Sequence, residues 1–330
     1  MDPSFQNQVA VVTGAGGTLC SAIAKHLASL GCKVVLIGRT REKLEKVVSN
    51  LAVSRAAQNP GEAIPGSFLI EPGDVADEAE MQAIADRVLA KWGPCRFLVN
   101  GAGGNDPAAM PTRLRFSPAD LAPRGSSANS SCSRSPDSSG PQAQPAAASG
   151  TAQPVFASAG GAAPRQEKGF WDIDMAAFRR VLEINTLGTV IPSRIFGLQM
   201  ARAGGGAILN FASMNTYRPL TRVAPYAMAK AAIANWTQFF AQYMAPAHVR
   251  VNAVAPGFMV TERSRKYLCT PDGCLSPRGE QVMAHTPMGR FGEAEDLLGC
   301  VVWLLDDARS AFVTGITVPV DGGFLSSAGV

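Results

Sequence analysis

What this chain lacks narrows its function before any motif is read. Lys and Arg number 30 against 26 Asp and Glu, a formal net charge of +4, and no basic block stands out. A nucleic-acid partner is therefore not expected. The seven cysteines are odd in number and scattered, with no Cys-x-x-Cys pair, which argues against a disulfide framework and a zinc site and fits a reducing compartment. No metal is expected. The chain also has no run of about 18 apolar residues, the length a membrane-spanning helix needs. Residues Met1–Gln8 show no basic region followed by an apolar stretch, so the start does not read as a signal peptide. These absences point to a cytoplasmic protein with no membrane partner.

What is present is enough apolar material, 46% of 330 residues, for a substantial core. Short apolar runs at Val9–Thr13, Lys33–Ile37, Ser67–Glu71 and Arg96–Asn100 alternate with helical patterns at Ser21–Leu30, from Arg41 onward, and at Glu78–Lys91. That alternation signals a parallel sheet wound with helices on both faces. The pattern resumes with a helix over Met175–Arg202, a strand over Ala207–Ala212, a helix over Tyr226–Met244 and a strand over Val249–Ala253. An irregular stretch is expected from Gly257 to about Gly292, then a helix over Glu293–Leu305 and a closing strand over Thr317–Val320. Between them, residues 117–166 change character: Ala, Ser, Pro and Gly make up 35 of the 50, and Phe156 is the one aromatic. Such a segment cannot bury enough apolar surface to offset its ordering entropy. It reads as a long disordered insertion in a single α/β domain spanning 1–330.

The chemistry is concentrated in Tyr226-Ala-Met-Ala-Lys230, with Ser213 thirteen positions earlier. Positions i and i+4 share a helix face, so the phenol and the ammonium lie side by side. A phenol with an ordinary pKa of about 10 is a poor acid or base at neutral pH, and a neighbouring cation stabilises its phenolate. With a serine hydroxyl holding a carbonyl oxygen, the set suits hydride transfer to or from a carbonyl, Tyr226 carrying the proton. A Tyr–Lys pair at this spacing is common by chance; its force comes from the rest of the chain. Thr13-Gly14-Ala15-Gly16-Gly17-Thr18-Leu19-Cys20 follows the first strand and opens the first helix, where glycines let backbone approach a pyrophosphate. After the second strand stands Gly38-Arg39, with no carboxylate. An acid there binds ribose hydroxyls and a cation accommodates a 2′-phosphate, so NADP(H) is favoured with NAD(H) as the alternative.

Outside the insertion, the whole chain resembles the short-chain dehydrogenase/reductases, on Thr13-Gly14, Asp74-Val75, Asn100-Gly101-Ala102-Gly103, Asn185, Ser213, Tyr226 with Lys230, Pro256-Gly257 and Asp321-Gly322-Gly323. The resemblance implies a Rossmann-type sheet and a catalytic set of Asn185, Ser213, Tyr226 and Lys230. Asn185 would hold a water linking Lys230 to solvent, and Lys230 would also bind the nicotinamide ribose. It further implies cofactor contacts at Gly14, Gly17, Thr18, Leu19, Arg39, Asp74, Val75, Asn100, Ala102, Gly103, Pro256, Gly257, Met259 and Thr261. Thr18 and Cys20 depart from the family's glycine signature, where two further glycines are usual.

Within that family the chain is similar to a branch of D-mannonate oxidoreductases, or fructuronate reductases. It shares Leu19-Cys20, Asn100 to Asn105, Ser213-Met214-Asn215, the stretch from Ala284 to Gly292, and the terminal Ala328-Gly329-Val330. The branch implies a sugar-acid substrate. A uronate needs a cation for its carboxylate, and Arg265, with Arg263 and Lys266 nearby, is the expected ligand beside Asn105 and Asn215. Gluconate 5-dehydrogenase and 3-oxoacyl-carrier-protein reductase remain open as alternative activities, and a catalytically inactive cofactor-binding regulator as another class. The family resemblance also implies a homo-oligomer, tetramer or dimer.

Overall fold

The computed structural model describes residues 4–58, 67–121 and 167–327. Seven parallel strands form one sheet in the order β3-β2-β1-β4-β5-β6-β7. They are β1 Val9–Thr13, β2 Lys33–Gly38, β3 Phe68–Pro72, β4 Phe97–Asn100, β5 Gly206–Phe211, β6 Val249–Pro256 and β7 Thr317–Val320. Every residue of β1, β4, β5 and β6 is buried, as expected of strands covered on both faces, whose sequences run apolar instead of alternating. The helices are α1 Thr18–Ser29, α2 Arg41–Gln58, α3 Glu78–Trp92, α4 Met175–Arg202, α5 Ala224–Met244, α6 Glu262–Leu268, α7 Pro277–Ala284, α8 Leu298–Leu305 and α9 Asp307–Ser310. On one face of the sheet Ile23, Leu27, Leu44, Val301 and Leu304 pack with Val12, Leu36 and Val99. On the other, Ile84, Val88, Phe196, Met200 and Phe240 pack with Val11, Ile37, Leu98 and Ile208.

The doubly wound sheet is thus the one the alternation predicts, with strand boundaries moved by at most three residues. The expected irregular stretch after Gly257 is corrected: it contains α6 and α7. Both helices begin at caps that the sequence spells out. Thr261 Oγ1 accepts from Ser264 N, and Ser276 Oγ accepts from Gly279 N with Pro277 in the first turn. The expected helix over Glu293–Leu305 starts as a 3-10 turn at Ala294–Leu297 and becomes α-helical at Leu298.

The head of the expected insertion, Pro118–Leu121, forms a 3-10 turn; 122–166 lie outside the described residues, as do 328–330. Both flanks of the segment meet at one place. Lys168 N donates to Thr112 Oγ1, Arg113 N to Lys168 O, and Arg113 pairs with Asp120 at 2.6 Å. An insertion whose flanks touch leaves the sheet on either side undisturbed.

The strand order reverses between β1 and β4. In open parallel sheets the crevice outside the carboxyl ends of the strands at such a reversal is where ligands bind. Thr13, Asn100 and the Phe211–Ser213 segment all end at this edge.

Candidate active site

Each chemical group at this edge is placed by a different element. Ser213 follows β5 and caps the short 3-10 turn Met214–Thr216. Tyr226 stands in the first turn of α5, and Lys230 one turn later puts its Nζ 5.5 Å from the Tyr226 ring centroid. Thr216 Oγ1 donates to Lys230 O at 2.9 Å and ties the serine turn to α5. The structure therefore brings Ser213, Tyr226 and Lys230 together. Burial pushes the Tyr226 phenol above its ordinary range; a hydrogen bond from Ser213 opposes that, Tyr267 adds to it and Arg263 lowers it. Lys230 is buried, donates to Phe211 O at 2.6 Å, and burial lowers its ammonium to about 8. Lys230 thus lies beside the phenol as expected while also donating to a strand carbonyl, and Ser213 and Arg263 partly offset the rise that burial imposes on the phenol.

Asn185, fully buried in α4, donates from Nδ2 to Gly104 O at 2.7 Å and to Val181 O at 2.8 Å, while its Oδ1 accepts from Gly104 N. It clamps the loop after β4. A Cβ on Gly103 would fall 2.4 Å from Asn185 Oδ1 and 3.7 Å from Lys230 Nζ, so only glycine lets this loop cross between them. Asn100, expected to stabilise the central strands beside the cofactor, donates from Nδ2 to Ser193 Oγ and Asn210 Oδ1 at 2.8 and 2.9 Å. It staples β4 to β5 and α4, and Asn210 continues the chain to Thr237 of α5.

The residues present fit a dinucleotide. Gly14 has φ +65°, and a Cβ there would lie 2.8 Å from the Gly101–Ala102 backbone, so the turn stays open at the sheet edge. Gly17 caps α1 with no side-chain acceptor, which leaves the first-turn N–H groups of Thr18 and Leu19 for a pyrophosphate. Thr13 Oγ1 accepts from Gly101 N and Ala102 N and fixes the facing loop. At the adenosine end Asp74 accepts from Ala76 N, whereas the Val75 side chain packs beside Gly188 of α4 in the core, leaving only its backbone for a cofactor. Arg39 is exposed, and a Cβ on Gly38 would meet Leu44 Cδ2 at 3.3 Å. The departure at Cys20 has a counterpart across the loop. A Cβ on Gly101 would lie 2.0 Å from Cys20 Sγ, so the sulfur occupies room that glycine at 101 vacates.

At the nicotinamide end Gly257 N donates to Val320 O, and a Cβ on Gly257 would strike Asp321 at 2.6 Å. Pro256 ends β6, buried Met259 bridges to Gly292, and Thr261 spends its hydroxyl capping α6. Among the substrate candidates, Arg265 lines a 580 Å³ cavity with Thr18, Lys25, His26 and Glu293. Arg263 reaches the loop after β4 instead. Its Nη2 donates to Asn105 O at 2.6 Å, and its charge acts on both Tyr226 and Tyr267. Asn105 spends its Oδ1 on Asp106 N. Asn215 is buried against Ser213, with which it is hydrogen-bonded. Sequence spacing misses the roles of Arg263 and Tyr267 because it does not show α6 itself; the Thr261–Ser264 cap is the available signal.

Residues 8–119 match the short chain dehydrogenase family and residues 143–325 the enoyl-(acyl carrier protein) reductase family. The chain is 35% identical to an uncharacterised oxidoreductase, UxuB, of Bacillus subtilis, over the whole of both chains. Among solved structures it matches, with TM-score 0.78 and 30% identity over all of both chains, a Haemophilus influenzae protein provisionally assigned as a D-mannonate oxidoreductase and holding NAD. A Beutenbergia cavernae protein provisionally assigned as an NAD(P)-dependent gluconate 5-dehydrogenase, with NADP at low occupancy, matches at TM-score 0.68 and 27% identity, over 98% of this chain and 100% of that one. The chain belongs to the short-chain dehydrogenase/reductases and is an oxidoreductase that uses a nicotinamide cofactor.

Proposed function

We propose that this short-chain dehydrogenase/reductase interconverts the ketone and alcohol of a sugar acid, D-fructuronate and D-mannonate being the pair, with NADP(H) preferred to NAD(H). The observation that carries the reading is Arg263. Its guanidinium pairs with a backbone carbonyl and with no carboxylate among the described residues, and it stands within electrostatic reach of Tyr226. A forked, permanently charged donor left without an anion beside the proton carrier suits a substrate that brings its own carboxylate.

The nicotinamide, when bound, supplies or takes up the hydride. The chain's residues do the rest. The Thr18 and Leu19 N–H groups at the head of α1 bind the pyrophosphate, and Gly14, Ala102 and Gly103 leave space for it. Ser213 holds the substrate oxygen, and in reduction Tyr226 Oη delivers the proton to it. Tyr226 keeps that proton at neutral pH as any ordinary phenol does, and burial raises it further. Arg263 orients the carboxylate so that the carbonyl faces Tyr226. The preference for NADP(H) rests on exposed Arg39 and on the missing acid at Gly38, where Leu44 already crowds a side chain. Segment 117–166 is an insertion in this single domain. Exposed Leu198 of α4 and Phe239 and Tyr243 of α5 support a homo-oligomer, and the reading places the enzyme in the cytoplasm.

The test is reduced-nicotinamide oxidation with D-fructuronate, with 5-dehydro-D-gluconate as a second acid and a neutral ketose as control, in NADPH and NADH. Arg263→Met should raise KM for the acids about thirty-fold, the loss of roughly 2 kcal/mol from a charge-assisted hydrogen bond. It should leave the neutral ketose unchanged, and Arg265→Met should change neither. Equal loss on acid and neutral substrates would overturn the carboxylate role, and faster turnover with NADH the cofactor preference.

A further inference from the structure

Ser213 Oγ is held in a way that fixes what its hydroxyl can do. Asn215 N donates to it at 3.2 Å, and Asn215 Nδ2 donates to it at 3.2 Å. A hydroxyl oxygen has two acceptor positions and one proton to give. With both acceptor positions taken by one residue, Ser213 has only its proton left for a partner. Asn215 is itself locked, since its Oδ1 accepts from Leu220 N at 3.0 Å and it is 7% exposed. That bond fixes which end of the amide faces Ser213: the oxygen serves the loop and the NH2 serves the serine.

We propose that Asn215 is a positioning residue that makes Ser213 a one-way donor, directed at Tyr226 Oη and at the substrate oxygen, so that Ser213 cannot accept the proton Tyr226 must deliver. Without Asn215, the serine could take the phenol's hydrogen bond and hold the proton back from the carbonyl. The proposal uses the oxidoreductase chemistry of the site and does not depend on which ketone is the substrate. It also reassigns Asn215 from contacting substrate to orienting the group that does. A cavity of 560 Å³ lined by Asn215, Thr216, Leu220 and Met228 lies on its other flank and is not lined by Tyr226 or Ser213.

Asn215→Asp is the sharpest test, because it keeps the shape and the acceptor for Leu220 N while replacing the donor with an acceptor. Ser213 then donates to the introduced carboxylate, and its bond to Tyr226 is lost. The groups facing Tyr226 are Ser213, Lys230 of α5 and Arg263 and Tyr267 of α6, none of which the substitution removes. In the reduction assay with D-fructuronate, kcat should fall by roughly tenfold to a hundredfold, the scale of one misdirected donor, with KM little changed. The basic limb of the pH profile should move upward by about one unit, since a carboxylate near Tyr226 and the loss of a donor both favour the phenol. The substrate-free readout is the tyrosinate absorbance titration of the full chain, taken as the difference from Tyr226→Phe. Its Tyr226 transition should move the same way, which keeps the result independent of the substrate assignment. Asn215→Ser, which deletes the side-chain donor to Ser213 together with the acceptor for Leu220 N but adds no charge, serves if the aspartate variant does not fold and should shift the transition in the same direction by less. A turn residue with only a structural role would lower stability and leave the Tyr226 transition of the uncharged Asn215→Ser variant in place, since in Asn215→Asp the introduced charge alone raises the phenol. An unmoved transition with kcat within twofold of the parent in the variants that fold overturns the proposal.

Discussion

A Cβ on Gly14 or Gly101 would run into backbone or sulfur at 2.8 and 2.0 Å, whereas the segment across the site is mixed: Gly257, Gly279 and Gly292 are as tightly placed, but Gly273 and Gly289 have open space where a Cβ would go. The two sides of the crevice are held by different means. The sheet side is a set of close approaches, Gly103 against Asn185 and Lys230, Cys20 against Gly101, Thr13 against the loop after β4, backed by the buried polar chain from Asn100 to Thr237. The facing side, 257–292, is held by local caps at Thr261 and Ser276, by Arg263 reaching Asn105 O, and by backbone bonds from Gly257 N to Val320 O and from Met288 N to Gly322 O. Close-packed interiors transmit small changes and locally capped helices absorb them. Ser213, Tyr226 and Lys230 belong to the sheet side, and Arg263, the proposed carboxylate ligand, to the side built on helix caps.

The comparison can be broken at its strongest point first. Tyr226→Phe should cut kcat by about a thousandfold, the scale of general acid catalysis, while cofactor binding, followed by reduced-nicotinamide fluorescence, persists. A residual rate within tenfold of the parent would mean the proton comes from elsewhere. Next, Gly101→Ala should cost about 2 kcal/mol in denaturant unfolding through overpacking against Cys20. Adding Cys20→Gly should recover part of it; additive losses would show that the two positions are not coupled. The smallest effect belongs to the facing side. Thr261→Ala removes the α6 cap and should cost about 1 kcal/mol, with a several-fold rise in KM for D-fructuronate and kcat nearly unchanged. An equal fall in kcat and kcat/KM, with KM unchanged, would place Thr261 in the chemistry instead.

Most of the sheet side is legible in the sequence because its signals are local. Apolar runs of strand length, a glycine turn after the first of them and Tyr226 with Lys230 one turn apart each carry their meaning within a few residues. The facing side reads as irregular, since α6 and α7 are seven and eight residues long and have too few turns to show a periodic apolar face. With α6 unseen, nothing but proximity along the chain favours Arg265 over Arg263, and two residues of helix rotate a side chain by more than half a turn.

The sequence by itself determined the doubly wound sheet, the dinucleotide edge and the Ser213–Tyr226–Lys230 set, because strand period, helix period and turn chemistry are encoded in near neighbours. Only the tertiary structure decided what each polar side chain spends its hydrogen bonds on. Lys230 takes the Phe211 carbonyl, Asn215 fills the acceptor positions of Ser213, and Arg263 is the arginine that faces the phenol. The physical reason is that a buried donor or acceptor must be satisfied by whichever group the fold brings within about 3 Å, and several of those partners, such as Asn105 for Arg263, lie far off along the chain.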